Sequence, residues 1–231
     1  MSMDDFADLS LMQLADSFFP SGLYTMSNGL ESLYMQKRIT SPEQVRNFIE
    51  VYFLQQIGPA DCVALVNAYD FVEDNDTNAL FDVDESIHKI KLIKEQRDAS
   101  VRSGRQLAKC LTSFLRDDLL DKYVQAISSS KTPGTYPVSI AIAAKLFGIP
   151  KQKAALTLFY GFAVSVIGAA LRLGILQHFE GQKILNELKP MIGETVQKYI
   201  DIPYNQMWQF APQLDIIQIH HERMDSKMFI T

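Results

Sequence analysis

A chain of 231 residues, 47% of them hydrophobic, carries enough apolar material for a sizeable core, and we read residues 1–231 as one domain. Charged residues make up 21% and the formal net charge is −5, so the cationic surface that draws phosphate backbones is missing and nucleic acid is not expected as a partner. The two cysteines, Cys62 and Cys110, lie far apart without a CxxC spacing, and the start MSMDDFADLS lacks a basic stretch followed by an apolar one. Both features point to a reducing, cytoplasmic setting in which the cysteines serve as small buried hydrophobes.

No alternating run of β-branched and aromatic residues is bounded by hairpin turns, whereas apolar residues recur at spacings of three and four along the chain. The expected class is all-α, a single-domain bundle of roughly nine to eleven helices. Leu23 to Lys37 offers Leu23, Met26, Leu30, Leu33 and Tyr34 as a helical stripe, with Gly22 before it. At Ser41 a new helix begins, with Pro42 at its first position and Gln44 completing a capping box; it runs to about Ile57, where Gly58 and Pro59 punctuate it. Pro59 to Val72 forms the next helix and Glu73 to Asn78 a polar loop. Asp84 to Leu115 is helical with a break expected near Gly104, and Ser128 to Thr135 reads as a flexible loop between helices. Tyr136 to Phe147 is a short apolar helix ended by Gly148.

Ala154 to Leu171 contains no charged residue and approaches the length of a bilayer span. It stands alone, flanked by Lys151, Lys153 and Arg172, and Gly161, Ser165 and Ala169 give it one small flank for close helix approach. A buried central helix over about 151–173 accounts for this better than a membrane span. Another helix starts near Gly181, Gln206 to Pro212 is irregular, and Leu214 to Phe229 is a last amphipathic segment. A terminal segment this apolar needs a receiving surface, either on its own domain or on a partner.

Chemistry-bearing patterns are sparse. There is no GxxxxGK[ST] or GxGxxG cradle and no GxSxG elbow, so no cofactor is expected and the chain should not hydrolyse nucleotides. Ser17, before a Pro-Gly turn, suits a backbone cap. His220, His221 and Glu222 are the one tempting cluster, but neighbours on a helix point about a hundred degrees apart and cannot close on one metal alone. A helical metal enzyme built on these three remains the alternative reading. Arg97, Ser100 and Gly104 share one helix face that suits a packing seam.

Three blocks in order resemble the UreF-type urease accessory proteins. LMQLADSFFPSGLYTMSNGLE (residues 11–31) has Gln13, Leu14, Asp16, Ser17, Phe19, Pro20, Gly22, Ser27, Gly29, Leu30 and Glu31 where that family has LLQLxDSxxPxGxFxxSxGLE. EQRDASVRSGRQL matches RxxSxxxGxxLL through Arg97, Ser100, Gly104 and Leu107. LRLGILQHFEGQKIL supplies Arg172, Leu173, Gly174, Gly181 and Gln182, and the tail HHERMDSKMFIT sets His221, Glu222, Ser226 and Phe229 on the HExxxSRLFxS ending. Lys227 and Met228 replace that ending's Arg and Leu, and Lys cannot reproduce a bidentate Arg contact.

The resemblance implies a non-catalytic helical dimer that binds a UreD/UreH-type accessory protein and recruits a UreG-type GTPase, the assembly delivering nickel to apo-urease. It also implies partner-binding roles for Arg172, Gln182, His221, Glu222, Ser226, Lys227, Met228 and Phe229. Within the tail it makes Phe229 the anchor and Lys227 a polar clasp on the partner.

Overall fold

A computed structural model describes residues 3–16, 19–20, 26–222 and 227–229, and every regular element among them is helical. The first helix, α1 (Met3–Ala15), precedes a short α2 (Leu30–Met35). Of the helix expected over Leu23 to Lys37, the first residues lie outside the described ones, and the described helix starts at Leu30, because Asn28 and Gly29 both take positive φ, 54° and 86°, which no α-helix continues through. Ser41 then accepts from the Gln44 amide at 3.4 Å while the Gln44 side chain accepts from the Ser41 amide at 3.1 Å, the capping box that opens α3 (Pro42–Tyr52).

Gly58 and Pro59 do not stop this helix. The chain passes through a widened π-helical stretch, Phe53–Cys62, into α4 (Val63–Glu73). Pro59 offers no amide and its ring crowds the preceding turn, and a wider turn relieves both constraints without a break. Carbonyls released from the regular pattern are used elsewhere: Gln55 accepts from the Phe210 amide and Pro59 from the Trp208 amide, each at 3.2 Å. A Cβ on Gly58 would lie 2.7 Å from Tyr199 and 2.9 Å from Thr195, so only glycine lets the α10 helix (His178–Tyr199) approach here.

The polar loop after α4 is shorter than expected, since Asp76 already caps α5 (Thr77–Ile90) by accepting from the Ala79 amide at 3.0 Å. The next break falls at Lys91–Ile93, not at Gly104. There Lys91 turns inward to meet the buried Asp61 carboxylate at 2.8 Å, and Arg97 donates to the carbonyls of Lys91 and Leu92. Gly104 stays inside α6 (Lys94–Thr112), where a Cβ would sit 2.4 Å from the Gly134 carbonyl. After α7 (Asp118–Ser128), the stretch read as flexible is pinned: fully buried Asp84 accepts from Tyr123 Oη, Thr132 Oγ1, the Gly134 amide, and both the amide and Oγ1 of Thr135, at 2.5–3.1 Å.

The helix α8 (Tyr136–Leu146) leads through Gly148 to α9 (Lys151–Arg172), which touches α1, α2, α3, α4, the π stretch, α8 and α10. Ala155, Phe159, Ala163, Val166 and Ala170 are fully buried. It is central but not apolar all round, because Lys153, Tyr160 and Arg172 reach the surface. By length and composition α9 alone among the described helices could cross a membrane, and its apolar faces are taken up by these neighbours. After a 3-10 turn (Tyr204–Gln206), α11 (Pro212–Glu222) closes the described helices. Cys62 is fully buried, and burial with the nearby Asp61 charge pushes its thiol up to about 12, which leaves it inert.

Replacing Asp84 by Asn keeps the volume but converts an acceptor of five hydrogen bonds into a group that must also donate. We expect Asp84→Asn to lower unfolding free energy by about 3 kcal/mol in denaturant titration. A loss under about 1 kcal/mol would contradict the pinning role.

Candidate functional site

The short α2 carries Glu31 into the interior, where it is only 5% exposed. One oxygen accepts from the Met228 amide at 2.7 Å, the other from the Phe229 amide at 3.2 Å, and the latter lies 3.1 Å from His221 Nε2. His221, fully buried on α11, places Nδ1 3.0 Å from Glu95, which opens α6. Lys227 donates to the Glu222 carbonyl at 3.0 Å and stands 3.7 Å from Glu95. With both imidazole nitrogens donating to carboxylates, His221⁺ offsets one of the two carboxylate charges and Lys227, at the surface, lies near enough to Glu95 to offset the other, the condition under which burial of charge is tolerable.

Phe229 is buried beneath the Arg172 guanidinium, 4.5 Å from its ring centroid, and Arg172 in turn donates to the Gly168 carbonyl at 3.0 Å. The receiving surface for this end of the chain is therefore its own body. Met228, beside it, is 64% exposed. Gly29 lets α11 close: a Cβ there would meet Ile217 at 3.1 Å and Gln218 at 3.3 Å. Behind Gly29, Tyr52 donates to the Asn28 carbonyl and accepts from Gln218, both at 2.6 Å. Ser27 is fully buried, and its hydroxyl faces the Glu31 amide at 3.5 Å.

Residues far apart in sequence thus meet in one network: Ser27, Gly29 and Glu31 from the first block, Arg172 from the third, and His221, Lys227 and Phe229 from the tail. The second block is a separate seam: Ser100 accepts from the Tyr136 amide at 3.3 Å, Gly104 abuts the 134–135 backbone, and Arg97 caps the α5–α6 break. Gln13, Asp16 and Pro20 are exposed near the end of α1, and Gln182 is exposed on α10, away from the clasp's hydrogen bonds. Ser17, Gly22 and Ser226 lie outside the described residues, as does the side chain of His220.

Glu95, Tyr52 and Gln218 were not singled out in the sequence. Glu95 shows there only as an acidic residue in a helix's first turn, and nothing local marks it as the partner of a histidine 126 residues on. Of the candidate metal trio, His221 has both ring nitrogens against carboxylates, Glu222 is exposed, and the His220 side chain lies outside the described residues. Among the described residues no group of three or more His, Cys, Asp or Glu could hold a metal ion.

The fold and the clasp define an all-helical protein whose C-terminal segment is ionically locked to its own body. Residues 39–189 match the family model described as UreF. The urease accessory protein UreF of Trichodesmium erythraeum is 32% identical over 96% of this chain and 95% of its own length. UreF 1 of Brucella melitensis is 32% identical over 96% of this chain and 92% of its own, and UreF of Bacillus sp. strain TB-90 is 30% identical over 96% and 98%. The chain belongs to the UreF family of urease accessory proteins.

Burial works against a charge on His221, but hydrogen bonds to Glu95 and Glu31 and the Glu95 charge outweigh it and the opposing Lys227, raising its pKa above the ordinary imidazole value. A raised folded-state pKa means that the stabilisation is complete below about 6.5, the unfolded value, and is lost as pH climbs through the folded value. Hydrogen-exchange protection of the Met228 and Phe229 amides should therefore fall above neutrality. Protection that stays level from about pH 6 to about pH 9 would rule out a charged His221 in the clasp. Glu31→Ala strands His221 and both amides, and we expect it to cost about 3–5 kcal/mol by chemical denaturation, against a much smaller loss for an exposed glutamate such as Glu43.

Proposed function

We propose that this protein is a non-catalytic, cytoplasmic scaffold of urease maturation, which binds a UreD/UreH-type accessory protein, recruits and regulates a UreG-type GTPase, and acts as a homodimer in delivering nickel to apo-urease. Membership of the UreF family supports the process. The clasp supports the mode of action: buried Glu31 and His221, with Glu95, hold a surface segment in place, where an enzyme would turn such groups toward a substrate.

The observation that carries the reading is the contrast between Phe229, buried under Arg172, and Met228, its exposed neighbour. Phe229 fixes the tail on the body, the exposed Met228 and Lys227 with Glu222 form the face offered to the UreD/UreH-type partner, and exposed Gln182 on α10 is a separate contact with it. An exposed apolar residue on a segment hydrogen-bonded to the body is a suitable interface anchor, because part of the ordering is already in place when a partner covers it.

Co-purification from cells expressing the UreD/UreH-type and UreG-type proteins tests this. The full chain should retain both. Met228→Asp, which leaves the clasp's hydrogen bonds in place, and a chain ending at Glu222 should lose at least tenfold of the UreD/UreH-type protein. Undiminished capture by both variants would overturn the assignment of the tail, and no capture by the full chain would overturn the scaffold reading.

A further inference from the structure

Between the π stretch, α6, α9 and α11 lies a partly open cavity of about 90 Å³, enough for several waters or one small organic molecule. Its lining mixes two chemistries. Met26, Leu158 and Phe162 contribute apolar side chains. Gln56, Ser103 and Gln218 contribute polar ones, together with the buried Asp61–Lys91 pair.

Three of these polar groups are incompletely used. Gln56, Ser103 and Gln218 are 3%, 1% and 3% exposed, yet Gln56 Nε2, Ser103 Oγ and Gln218 Oε1 have no hydrogen-bond partner among the described residues. A buried polar atom left unpaired is destabilising, and here three of them belong to residues that line one cavity. The role of Gln218 is fixed by its surroundings. Tyr52 gives its only proton to the Asn28 carbonyl, so it must accept from Gln218 Nε2, which leaves Gln218 Oε1 as an acceptor facing the cavity residues. The remaining amide end of Gln56 and the Ser103 hydroxyl can complement it.

We propose that this cavity is a binding site for a small uncharged molecule with a donor–acceptor head and a short apolar tail, such as a primary amide of a few carbons. Asp61 and Lys91 neutralise each other, so a charged ligand would enter without a counter-charge and would forfeit its hydration. The amphipathic walls require both parts of the ligand: the head pairs the three unused atoms and the tail covers Met26, Leu158 and Phe162. Because Gln218 belongs to α11, occupancy also ties α11 to the body at a point separate from the ionic clasp. The inference does not depend on which partners the protein binds.

Propionamide titrated into the full chain, followed by the methyl resonances of Met26, Ala99 and Leu158, tests it. Saturable shifts with a Kd on the order of millimolar are expected, with propionate and propylammonium, its charged counterparts of similar shape, at least tenfold weaker. Gln218→Leu should weaken propionamide at least tenfold. Ser103→Ala, which removes only an unpartnered hydroxyl and should fold with an unchanged or higher Tm, should weaken it several-fold. A linear, non-saturating response to propionamide, or equal affinity for the two ions, overturns the proposal and leaves a cavity filled by water only. Undiminished affinity in Ser103→Ala and Gln218→Leu overturns it equally.

Discussion

A carboxylate removed from water must find compensating charge and hydrogen bonds within the fold, and at Glu31 that requirement fixes the end of the chain. Its donors are His221 and the amides of Met228 and Phe229, the farthest of them 198 residues away along the sequence. Satisfying one buried side chain of a six-residue helix therefore settles where α11 lies and where the tail returns. Glu95 extends the same demand to α6 through the other imidazole nitrogen. Removing any one charge would leave the others uncompensated, so the network closes as a unit.

Two further buried charges organise the chain in the same manner. Asp84 gathers donors from α7 and from the loop ahead of α8, and that loop in turn seats against Gly104 of α6. Asp61, on the widened π stretch, draws in Lys91 and so sets the α5–α6 break. The widened turn also lends carbonyls to the segment at 208–210 that leads into α11. Irregular backbone here is where separate helices are joined, since a regular helix spends its carbonyls on itself.

Within the clasp neighbouring residues take opposite environments: Phe229 is committed to the body under Arg172, while Met228 is left exposed. The ionic clasp that holds it is built around an imidazole, the side chain whose charge is most readily altered near neutral pH. His221 is thus the titratable element of the clasp, whereas α11 packs against Gly29 and Tyr52 through contacts that do not involve it.

Much was legible in the residues themselves. Three- and four-residue apolar spacing determined the helical class, Ser41-Pro42 with Gln44 determined a helix start, and the uncharged run at 154–171 determined a central helix. The motif blocks determined the family. These signals are local, and local signals suffice where a helix satisfies its own backbone. Tertiary structure decided the rest. Gly58-Pro59 became a widened turn, not a stop, because α10 and the 208–210 segment needed the room and the carbonyls. The loop before Tyr136 became rigid because Asp84, on another helix, lacked donors without it. His221 became an ionic lock because Glu31 and Glu95 converge on it from opposite sides. Such roles depend on which groups water abandons together, and that is settled only when distant segments pack.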